Sequence, residues 1–418
     1  MSSNEKTIYV YADWVSQSPA LIGRLYVHTS RGKELFSFEY SRDWIRRVDV
    51  SFIFDPDLSL YEGRQYAPDK PLFGVIEDSC PDRWGRLLMK RKEEILARKE
   101  NRKPEVLSES DFLLGVFDET RLGALRFSLE ENGPFLSAEK ELPAPPWMTL
   151  RTLESASLAF ESAEGGQDEK WLRQLLAPGS SLGGARPKAS IKAPDGSLWI
   201  AKFPSRNDEW NSAAWEAVVH ELAARCGLSV PEAILETFSD TGSTYLVKRF
   251  DRIGNRRVHF SSAMALLGKT DGAGARDASY LDIASFIRSY GVSPKQDLKE
   301  LWERIVFSIA VSNTDDHLRN HGFLLTEYGW TLSPMYDVNP DIYGNALSLG
   351  VSENDNSMSF ELVIDTAQYY DINTHDAKKT VAGVQKTICD NWRTLAAKYG
   401  LSKNSINRME PAFLMEYK

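Results

Sequence analysis

The chain has 418 residues, of which 42% are hydrophobic and 26% are charged, and its formal net charge is −9 at pH 7. This length is too great for one small core, so we expect two or three domains or lobes. The negative charge disfavours a general nucleic-acid binder, because the phosphate backbone repels acidic proteins. The three cysteines, Cys80, Cys226 and Cys389, are far apart. Such spacing predicts neither a disulfide framework nor a zinc site, and it fits a reducing compartment.

The first residues predict a cytoplasmic protein. The stretch MSSNEKTIYVYADW lacks the basic region and the apolar core of a signal peptide. No apolar run in the chain approaches the ~18 residues that a membrane-spanning helix needs.

Residues 1–140 predict a β-rich subdomain with helices. Three short β-branched and aromatic stretches between turn residues predict strands: TIYVYADW, LIGRLYVHT and KELFSFEYS. SCPDRWGRLLMKRKEEILARKE then predicts a helix, with Pro81 in its first turn. ESDFLLGVF continues the helical material, and GALRFSL predicts another strand.

Three prolines in residues 141–150, ELPAPPWMTL, predict a linker. Beyond it, residues 151–258 have the pattern of a small α+β lobe. LLAPGSSLGGARPKASIKAPDGSLWIAKFPS is typical of a Gly-rich loop between strands, and NSAAWEAVVHELAARCG predicts a helix that ends at Gly227.

Residues 259–418 have a mainly helical pattern. In LKELWERIVFSIAVSN, Leu301, Ile305 and Ile309 share one face, with Trp302 and Val306 beside them. An apolar arc this wide predicts a buried helix.

A polar loop follows that helix. In VSNTDDHLRNHGFL, residues 311–324, Asp315 and Asn320 have the spacing D-x-x-x-x-N. Protein kinases use this spacing in the catalytic loop, where the Asp orients the substrate hydroxyl and the Asn holds Mg²⁺. The His-Arg pair that usually precedes the Asp is replaced here by Asn313 and Thr314. The spacing alone also fits a solvated helix-to-strand turn.

Two further residues fit a phosphoryl-transfer site. Asp337, in WTLSPMYDVNP, is placed as the metal-binding Asp of kinases would be, although Tyr336 and Val338 flank it. A turn-capping Asp is the alternative. Lys202 lies in the apolar stretch LWIAKFP, where a lysine is costly unless its amine reaches a partner. An outward-facing lysine on an edge strand is the alternative.

The Gly-rich loop GSSLGGARPKAS adds a third feature. Gly179, Gly183 and Gly184 allow backbone N–H groups to approach phosphate oxygens closely, and Arg186 and Lys188 add positive charge. The pattern is neither G-x-G-x-x-G nor a Walker A run, and a flexible hairpin is the alternative.

Taken in order, these segments resemble the HipA family of bacterial serine/threonine kinases, the toxins of type II toxin–antitoxin pairs. The segments that carry the resemblance are LFGVIEDSCPDRWGRLLM, SSLGGARPKASI, IAKFPS, YLVKRFDR, SNTDDHLRNHGFL and LSPMYDVNP. The resemblance covers most of the chain. It implies a two-lobed, protein-kinase-like α+β fold, with residues 1–140 as an extra N-terminal subdomain, 151–258 as the kinase N-lobe and 259–418 as the helical C-lobe.

The resemblance implies a role for each matched residue. Asp315 would be the catalytic base, Asn320 and Asp337 would bind Mg²⁺, and Lys202 would hold the α- and β-phosphates of ATP. We therefore expect these four residues to form the catalytic set. The residues expected at the nucleotide are Gly183, Gly184, Ala185, Arg186, Lys188, Lys202, Lys248, Arg249, Phe250, His317, Asn320, Tyr336 and Asp337, with 248–250 meeting adenine through backbone groups.

The resemblance also implies autophosphorylation at Ser181, with the adjacent Ser180 as the alternative. A phosphate there adds a charge of about −1.5 to −2, which would eject the loop from the phosphate cradle and switch the kinase off. Asp316, where family members commonly have a small residue, has no role that the sequence predicts.

The implied partners are a HipB-like helix-turn-helix antitoxin and, through that complex, the operator DNA of its own operon. The protein substrates known in the family are aminoacyl-tRNA synthetases, and their modification inhibits translation and growth; this carries over by analogy only. No membrane partner is expected. Two alternatives stay open: a small-molecule phosphotransferase, since D-x-x-x-x-N also serves such enzymes, and a non-enzymatic corepressor that retains the fold.

Overall fold

The structure is a computed structural model that describes residues 5–15, 18–47, 52–67, 70–136, 144–162, 174–175, 184, 186–272 and 278–413. The chain forms two compact units. The first comprises Met1–Asn207 and Lys248–Ser261, and the second comprises Asp208–Val247 and Ser262–Lys418. The three-part division predicted from the sequence stays a prediction.

The first unit contains a five-stranded antiparallel sheet with the order β4-β3-β2-β1-β5. Its strands are β1 (Glu5–Ala12), β2 (Ala20–Ser30), β3 (Lys33–Tyr40), β4 (Gln65–Tyr66) and β5 (Leu125–Ser128). Ile8 pairs with Leu25 and Leu25 with Phe38, and all three side chains are fully buried. The predicted strands of the N-terminal segment and of GALRFSL are confirmed.

The helices of this unit are α1 (Arg42–Ile45), α2 (Gly74–Glu77), α3 (Arg83–Lys99), α4 (Glu109–Gly115) and α5 (Leu150–Ser162), with a 3₁₀ turn at Trp147–Thr149. The predicted helix α3 is confirmed, but the placement of Pro81 in its first turn is wrong. Asp82 takes an extended backbone and caps the helix by accepting a hydrogen bond from the Gly85 amide. Pro81 therefore precedes the cap.

The unit also contains three short strand pieces and one antiparallel hairpin. The hairpin joins β6 (Lys188–Lys192) to β7 (Leu198–Lys202), as the sequence predicts, and it aligns Lys188 directly with Lys202. The short pieces are β10 (Arg252–Ile253), β11 (Arg256–Arg257) and β12 (His259–Ser262). The indole of Trp84 in α3 donates to the carbonyl of Lys188 at 3.0 Å, which ties the helix to the hairpin.

The second unit is mainly helical, in agreement with the predicted pattern. Its elements are α6 (Ser212–Arg225), β8 (Ala233–Ser239), β9 (Gly242–Lys248), α7 (Ala263–Leu266), α8 (Tyr280–Tyr290), α9 (Pro294–Ala310), β13 (Gly322–Thr326), β14 (Gly329–Leu332), α10 (Phe360–Thr366), α11 (Thr374–Lys398) and α12 (Lys403–Met409). Three 3₁₀ turns lie at Leu318–Asn320, Ala367–Tyr370 and Glu410–Ala412. Within the described part of the chain, no helix is both long enough and apolar enough to cross a membrane.

Helix α9 is the centre of the second unit. Leu301, Ile305 and Ile309 are fully buried, as the apolar arc predicts. The indole of the adjacent Trp302 donates to the carbonyl of Val363 at 2.9 Å, which fixes α9 against α10. The helix ends at Ala310 and delivers the polar loop to a fixed place. Gly227, with a φ of 85°, likewise ends α6 as predicted.

Candidate active site

The polar loop leaves α9 through a backbone turn that few residues adopt. Ser312 has a φ of 52°, in the left-handed region, and this turns the chain away from the helix axis. The two aspartates that follow have opposite environments, since Asp315 is exposed and Asp316 is only 3% exposed. The loop thus presents one carboxylate to solvent and places its neighbour in the interior.

Asn320 lies at the end of the short 3₁₀ turn and is bonded to Asp315. Its Nδ2 donates to the backbone carbonyl of Asp315 at 2.9 Å. This bond fixes the loop across the D-x-x-x-x-N spacing. It uses the amide nitrogen and leaves Oδ1 as the atom of this side chain that can coordinate a cation.

The segment around Asp337 is held against this loop by two bonds. The Tyr336 hydroxyl donates to the carbonyl of Arg319 at 2.7 Å, and the Asn339 amide donates to the side-chain oxygen of Asn313 at 3.3 Å. Asp337 itself has a φ of 57°. These bonds hold the segment of Asp337 against the loop that carries Asp315 and Asn320, and the charge of Asp337 acts on Asp315.

A second connection lies on the other side of Asp315, at Thr314. Its hydroxyl donates to Asp341 Oδ2 at 2.5 Å, and its carbonyl accepts a bond from the Ser348 hydroxyl at 2.8 Å. A Cβ at Gly344 would lie only 2.4 Å from Thr314 Oγ1, so glycine is needed for this close approach. Residues 336–348 and the polar loop thus form one interlocked assembly.

The electrostatics of the site favour a cation. Asp315 is exposed to solvent, but neighbouring protein atoms partly desolvate its carboxyl group, and this raises the pKa of Asp315. The charge of His317 lowers the pKa, while the negative charges of Asp337, Asp316 and Asp341 raise it. This concentration of negative charge is what a divalent cation would neutralise.

The donor set fits Mg²⁺. In the described residues, no three His, Cys, Asp or Glu side chains gather into a metal-binding cluster. The predicted ligands instead offer one carboxylate, from Asp337, and one amide oxygen, from Asn320. Mg²⁺ suits such a site because it usually keeps several waters and is bound by one or two carboxylates together with substrate phosphates.

The predicted phosphate-binding lysines lie in the first unit, side by side on β6 and β7. Lys188 is only 5% exposed, and its Nζ lies 3.7 Å from Asp82 Oδ2. Burial raises the pKa of Asp82 to about 6, although the positive charge of Lys188 acts to lower this pKa. Gly184, with a φ of 95°, passes so near that a Cβ there would lie 2.6 Å from Lys188 Nζ. The glycine therefore lets the loop approach the Lys188 ammonium group.

The segment predicted to meet adenine is anchored in the first unit by a contact that the sequence did not predict. The guanidinium of Arg249 is buried, and it pairs with Asp251 at 2.6 Å and donates to the carbonyls of Thr120 and Arg121 at 2.6 and 3.1 Å. The backbone amide of Arg249 donates to Leu198 at 2.9 Å. The only local signal was the opposite charge two residues along the chain, in RFD.

The two neighbours of Arg249 pack against aromatic rings. Lys248 Nζ lies 5.8 Å from the centre of the Trp199 ring, and the Phe250 ring lies 6.0 Å from that of Phe260. The remaining predicted nucleotide and modification residues Ser180, Ser181, Gly183 and Ala185 lie outside the described residues. Arg186 is described and is half-buried.

Comparisons with known proteins concern the family and the fold of the chain. The model of the HipA-like C-terminal domain matches residues 180–392, about half of the chain. A Haemophilus influenzae protein described as "Putative kinase" is 26% identical over 198 residues, which are 40% of this chain and 56% of that protein. The match therefore spans about half the length of this curated relative.

Among solved structures, the chain resembles one from a complex of the Shewanella oneidensis MR-1 toxin–antitoxin system HipA, HipB and its operator DNA. The TM-score is 0.67 and the identity is 14%, over 97% of this chain and 95% of that one. At this identity the likeness concerns the fold, and it confirms the predicted kinase-like α+β class. The chain belongs to the HipA family, whose C-terminal domain it carries in residues 180–392.

Proposed function

We propose that the protein is an ATP- and Mg²⁺-dependent serine/threonine protein kinase and the toxin of a toxin–antitoxin pair. The observation that carries the proposal is that hydrogen bonds hold the segment of Asp337 against the loop in which Asn320 is bonded to Asp315. Family membership supports the same reaction class.

Asp315 is the proposed general base. Its carboxyl group is the exposed acid of the loop, which leaves it accessible to a substrate hydroxyl. It accepts the proton of the attacking substrate hydroxyl. The bond from Asn320 to its carbonyl and the bonds at Thr314 restrict the loop, so that this carboxylate keeps its orientation.

Asn320 Oδ1 and the carboxylate of Asp337 are the proposed ligands of Mg²⁺, which would neutralise the charge of the phosphates there. Lys202 and Lys188 are the proposed partners of the ATP phosphates. Both side chains end in an ammonium group, and the register of β6 and β7 places the two lysines directly opposite each other on the hairpin.

The regulatory part of the proposal follows the family resemblance. Autophosphorylation at Ser181, or at Ser180, would switch the kinase off. The solved relative is a complex of HipA with HipB and operator DNA. We therefore propose a HipB-like helix-turn-helix antitoxin as partner, contact with operator DNA through it, and a protein substrate of the aminoacyl-tRNA synthetase class.

Labelled ATP tests the enzymatic part. Wild type incubated with Mg²⁺ and γ-labelled ATP should incorporate label on serine or threonine, and Asp315→Asn should not. Asp240→Asn is the matched control, because Asp240 is an exposed aspartate in the turn between β8 and β9. Equal labelling of wild type and Asp315→Asn would overturn the assignment of the base.

A small-molecule phosphotransferase is the second candidate, because the D-x-x-x-x-N spacing joined by Asn320 also serves such enzymes. Turnover of a metabolite hydroxyl without any label on protein would favour it over the protein kinase.

A further inference from the structure

We propose that Asp316 is the positioning residue of the candidate active site: its buried carboxylate holds the loop so that Asp315 and the Asp337 segment keep their relative places. This inference deepens the proposed function and rests on it for its catalytic meaning. The anchoring itself is a property of the fold and has its own measurement.

Three side chains, from α8, from α9 and from the residue before β13, converge on this one carboxylate. The hydroxyl of Tyr280, the first residue of α8, donates to Oδ2 at 2.7 Å. The hydroxyl of Ser308, in the last turn of α9, donates to the same oxygen at 3.2 Å. His321, just before β13, places Nε2 2.8 Å from Oδ1. Donors arriving from three directions restrict a loop more narrowly than apolar packing does, because each bond has a preferred distance and angle.

The three donors are themselves fixed. Tyr280 and Ser308 are fully buried and His321 is 2% exposed. The Tyr280 ring packs edge-on against the His321 ring, with centroids 5.6 Å apart. The His321 carbonyl accepts a bond from the Ala263 amide at 2.8 Å. The loop is therefore tied to groups that have little freedom to follow it.

Asp316 is present as an anion. Burial alone would raise its pKa, but the electrostatic effect of the His321 ring and the hydrogen bonds from His321, Tyr280 and Ser308 bring the pKa of Asp316 below its ordinary value. Hydrogen bonds to an ionised acceptor are stronger than those between neutral groups. The carboxylate of Asp316 therefore anchors the loop more strongly than a neutral side chain of the same size would.

The same network extends to the segment that carries the predicted metal ligand Asp337. Ser308 Oγ, which donates to Asp316, also accepts a bond from Asn313 Nδ2 at 3.4 Å. The side-chain oxygen of Asn313 in turn accepts from the Asn339 amide at 3.3 Å. A chain of hydrogen bonds therefore runs from Tyr280 through Asp316 to a residue two positions from Asp337. Among these hydrogen-bonded residues, Asp316 is the one that directly follows the predicted base Asp315 in the sequence.

Tyr280→Phe is the sharpest variant, because it removes one donor and keeps the buried ring. Tyr370→Phe is its matched control: Tyr370 is also a buried tyrosine, only 1% exposed, and its hydroxyl has no hydrogen-bond partner among the residues that the structure describes. Asp316→Asn is the conservative variant at the anchor itself, and Asp316→Ala removes the anchor altogether. If Asp316→Ala fails to fold, the two tyrosine variants and Asp316→Asn still decide the question.

The kinetic test separates kcat from KM in the purified full-length protein. We expect Tyr280→Phe to lower kcat for phosphoryl transfer by roughly 10- to 100-fold, the usual effect of a small misplacement of catalytic groups. We expect KM for ATP to change by less than about threefold, because no group at the nucleotide is removed. Asp316→Ala should lose more activity than Asp316→Asn, and Tyr370→Phe should match wild type. Equal kcat values for Tyr280→Phe and Tyr370→Phe would overturn the proposal.

Hydrogen exchange of the backbone amides in residues 313–321 tests the anchoring without any enzymatic readout. The proposal predicts faster exchange in Tyr280→Phe than in wild type, and no change in Tyr370→Phe. If wild type transfers no phosphate, the proposed function fails while this measurement still decides the anchoring. Unchanged exchange in Tyr280→Phe contradicts the anchoring whatever the activity.

Discussion

Asn320 Nδ2 donates to the backbone carbonyl of Asp315 at 2.9 Å, so the two residues that the sequence spacing singles out are bonded to each other. One side chain thus serves two purposes in the proposed site. Its nitrogen closes the loop around Asp315, and its oxygen is a proposed Mg²⁺ ligand.

Replacing Asn320 by alanine removes both of these contributions. We expect Asn320→Ala to lower kcat by roughly 100-fold or more, since a loose loop misplaces the base. The concentration of Mg²⁺ needed for half-maximal rate should also rise, because one ligand is lost. Rates measured across a Mg²⁺ titration check both effects. Asn404→Ala, at an exposed asparagine, is the control, and an unchanged Mg²⁺ requirement in Asn320→Ala would argue against the ligand role.

A methyl group at Gly344 should disturb the loop from the other side. The new Cβ would meet Thr314 Oγ1, Cβ and Cγ2 at 2.4 to 2.6 Å, so the Thr314 side chain must move and its bond to Asp341 breaks. Such overpacking costs about 1–3 kcal/mol. We therefore expect Gly344→Ala to lower both the free energy of unfolding and the activity, as measured by urea unfolding and by phosphoryl transfer.

Gly383 provides the matched control for that substitution. It lies within α11, and a Cβ there meets nothing within 4 Å. Gly383→Ala should be neutral or stabilise by up to about 1 kcal/mol, because alanine is the better helix former. If both alanine variants behave alike, the close approach of Gly344 to Thr314 has no energetic consequence.

The elements of the second unit could be predicted from local patterns, while the buried polar contacts could not. The periodicity of Leu301, Ile305 and Ile309 predicts helix α9, and the D-x-x-x-x-N spacing predicts the loop after it. Asp316 has no such signal, because its partner Tyr280 lies 36 residues earlier in the chain. Contacts over such a separation depend on how helices pack, which periodicity within one element does not specify.

Arg249 illustrates the same limit. The family resemblance predicts a role for the backbone of residues 248–250. The side chain of Arg249, in contrast, lies in a buried cluster with Asp251 and the carbonyls of Thr120 and Arg121. Those carbonyls come from a segment about 130 residues earlier. The resemblance compares motifs along the chain and carries no information on such a cluster.

Breaking that cluster should destabilise the protein strongly. Arg249 and Asp251 are 4% and 1% exposed. Arg249→Met removes one of the two arginines that pair with Asp251 and takes the Arg249 donor from the Thr120 carbonyl, and breaking a buried ion pair costs up to about 3–5 kcal/mol. We expect Arg249→Met to lower the free energy of unfolding by this amount, as measured by urea unfolding. Asp371→Asn, which breaks the exposed pair of Asp371 with Arg288, should leave stability unchanged. Equal effects from the two variants would contradict the account of the cluster.

The same cluster predicts a dependence of stability on pH. Burial would raise the pKa of Asp251, but Arg249, Arg252 and the Gly123 amide bring it far below the usual value. The unfolded state therefore binds more protons than the folded state in the acidic range, so stability rises with pH there and is lost as pH falls below about 4. Unfolding free energies measured at a series of acidic pH values check this. Asp251→Asn should have a shallower slope than wild type, and an identical slope would contradict the prediction.

We propose that Asp315 acts in proton transfer and not in nucleotide binding. The most direct measurement is a paired one: the affinity of Mg-ATP by calorimetry and the rate of phosphoryl transfer, for wild type and for Asp315→Asn. We predict affinities within about threefold of each other and a transfer rate lowered by about 10²–10⁴-fold in the variant, the usual contribution of a general base. A variant that binds Mg-ATP as wild type does and transfers phosphate at the same rate would contradict the account.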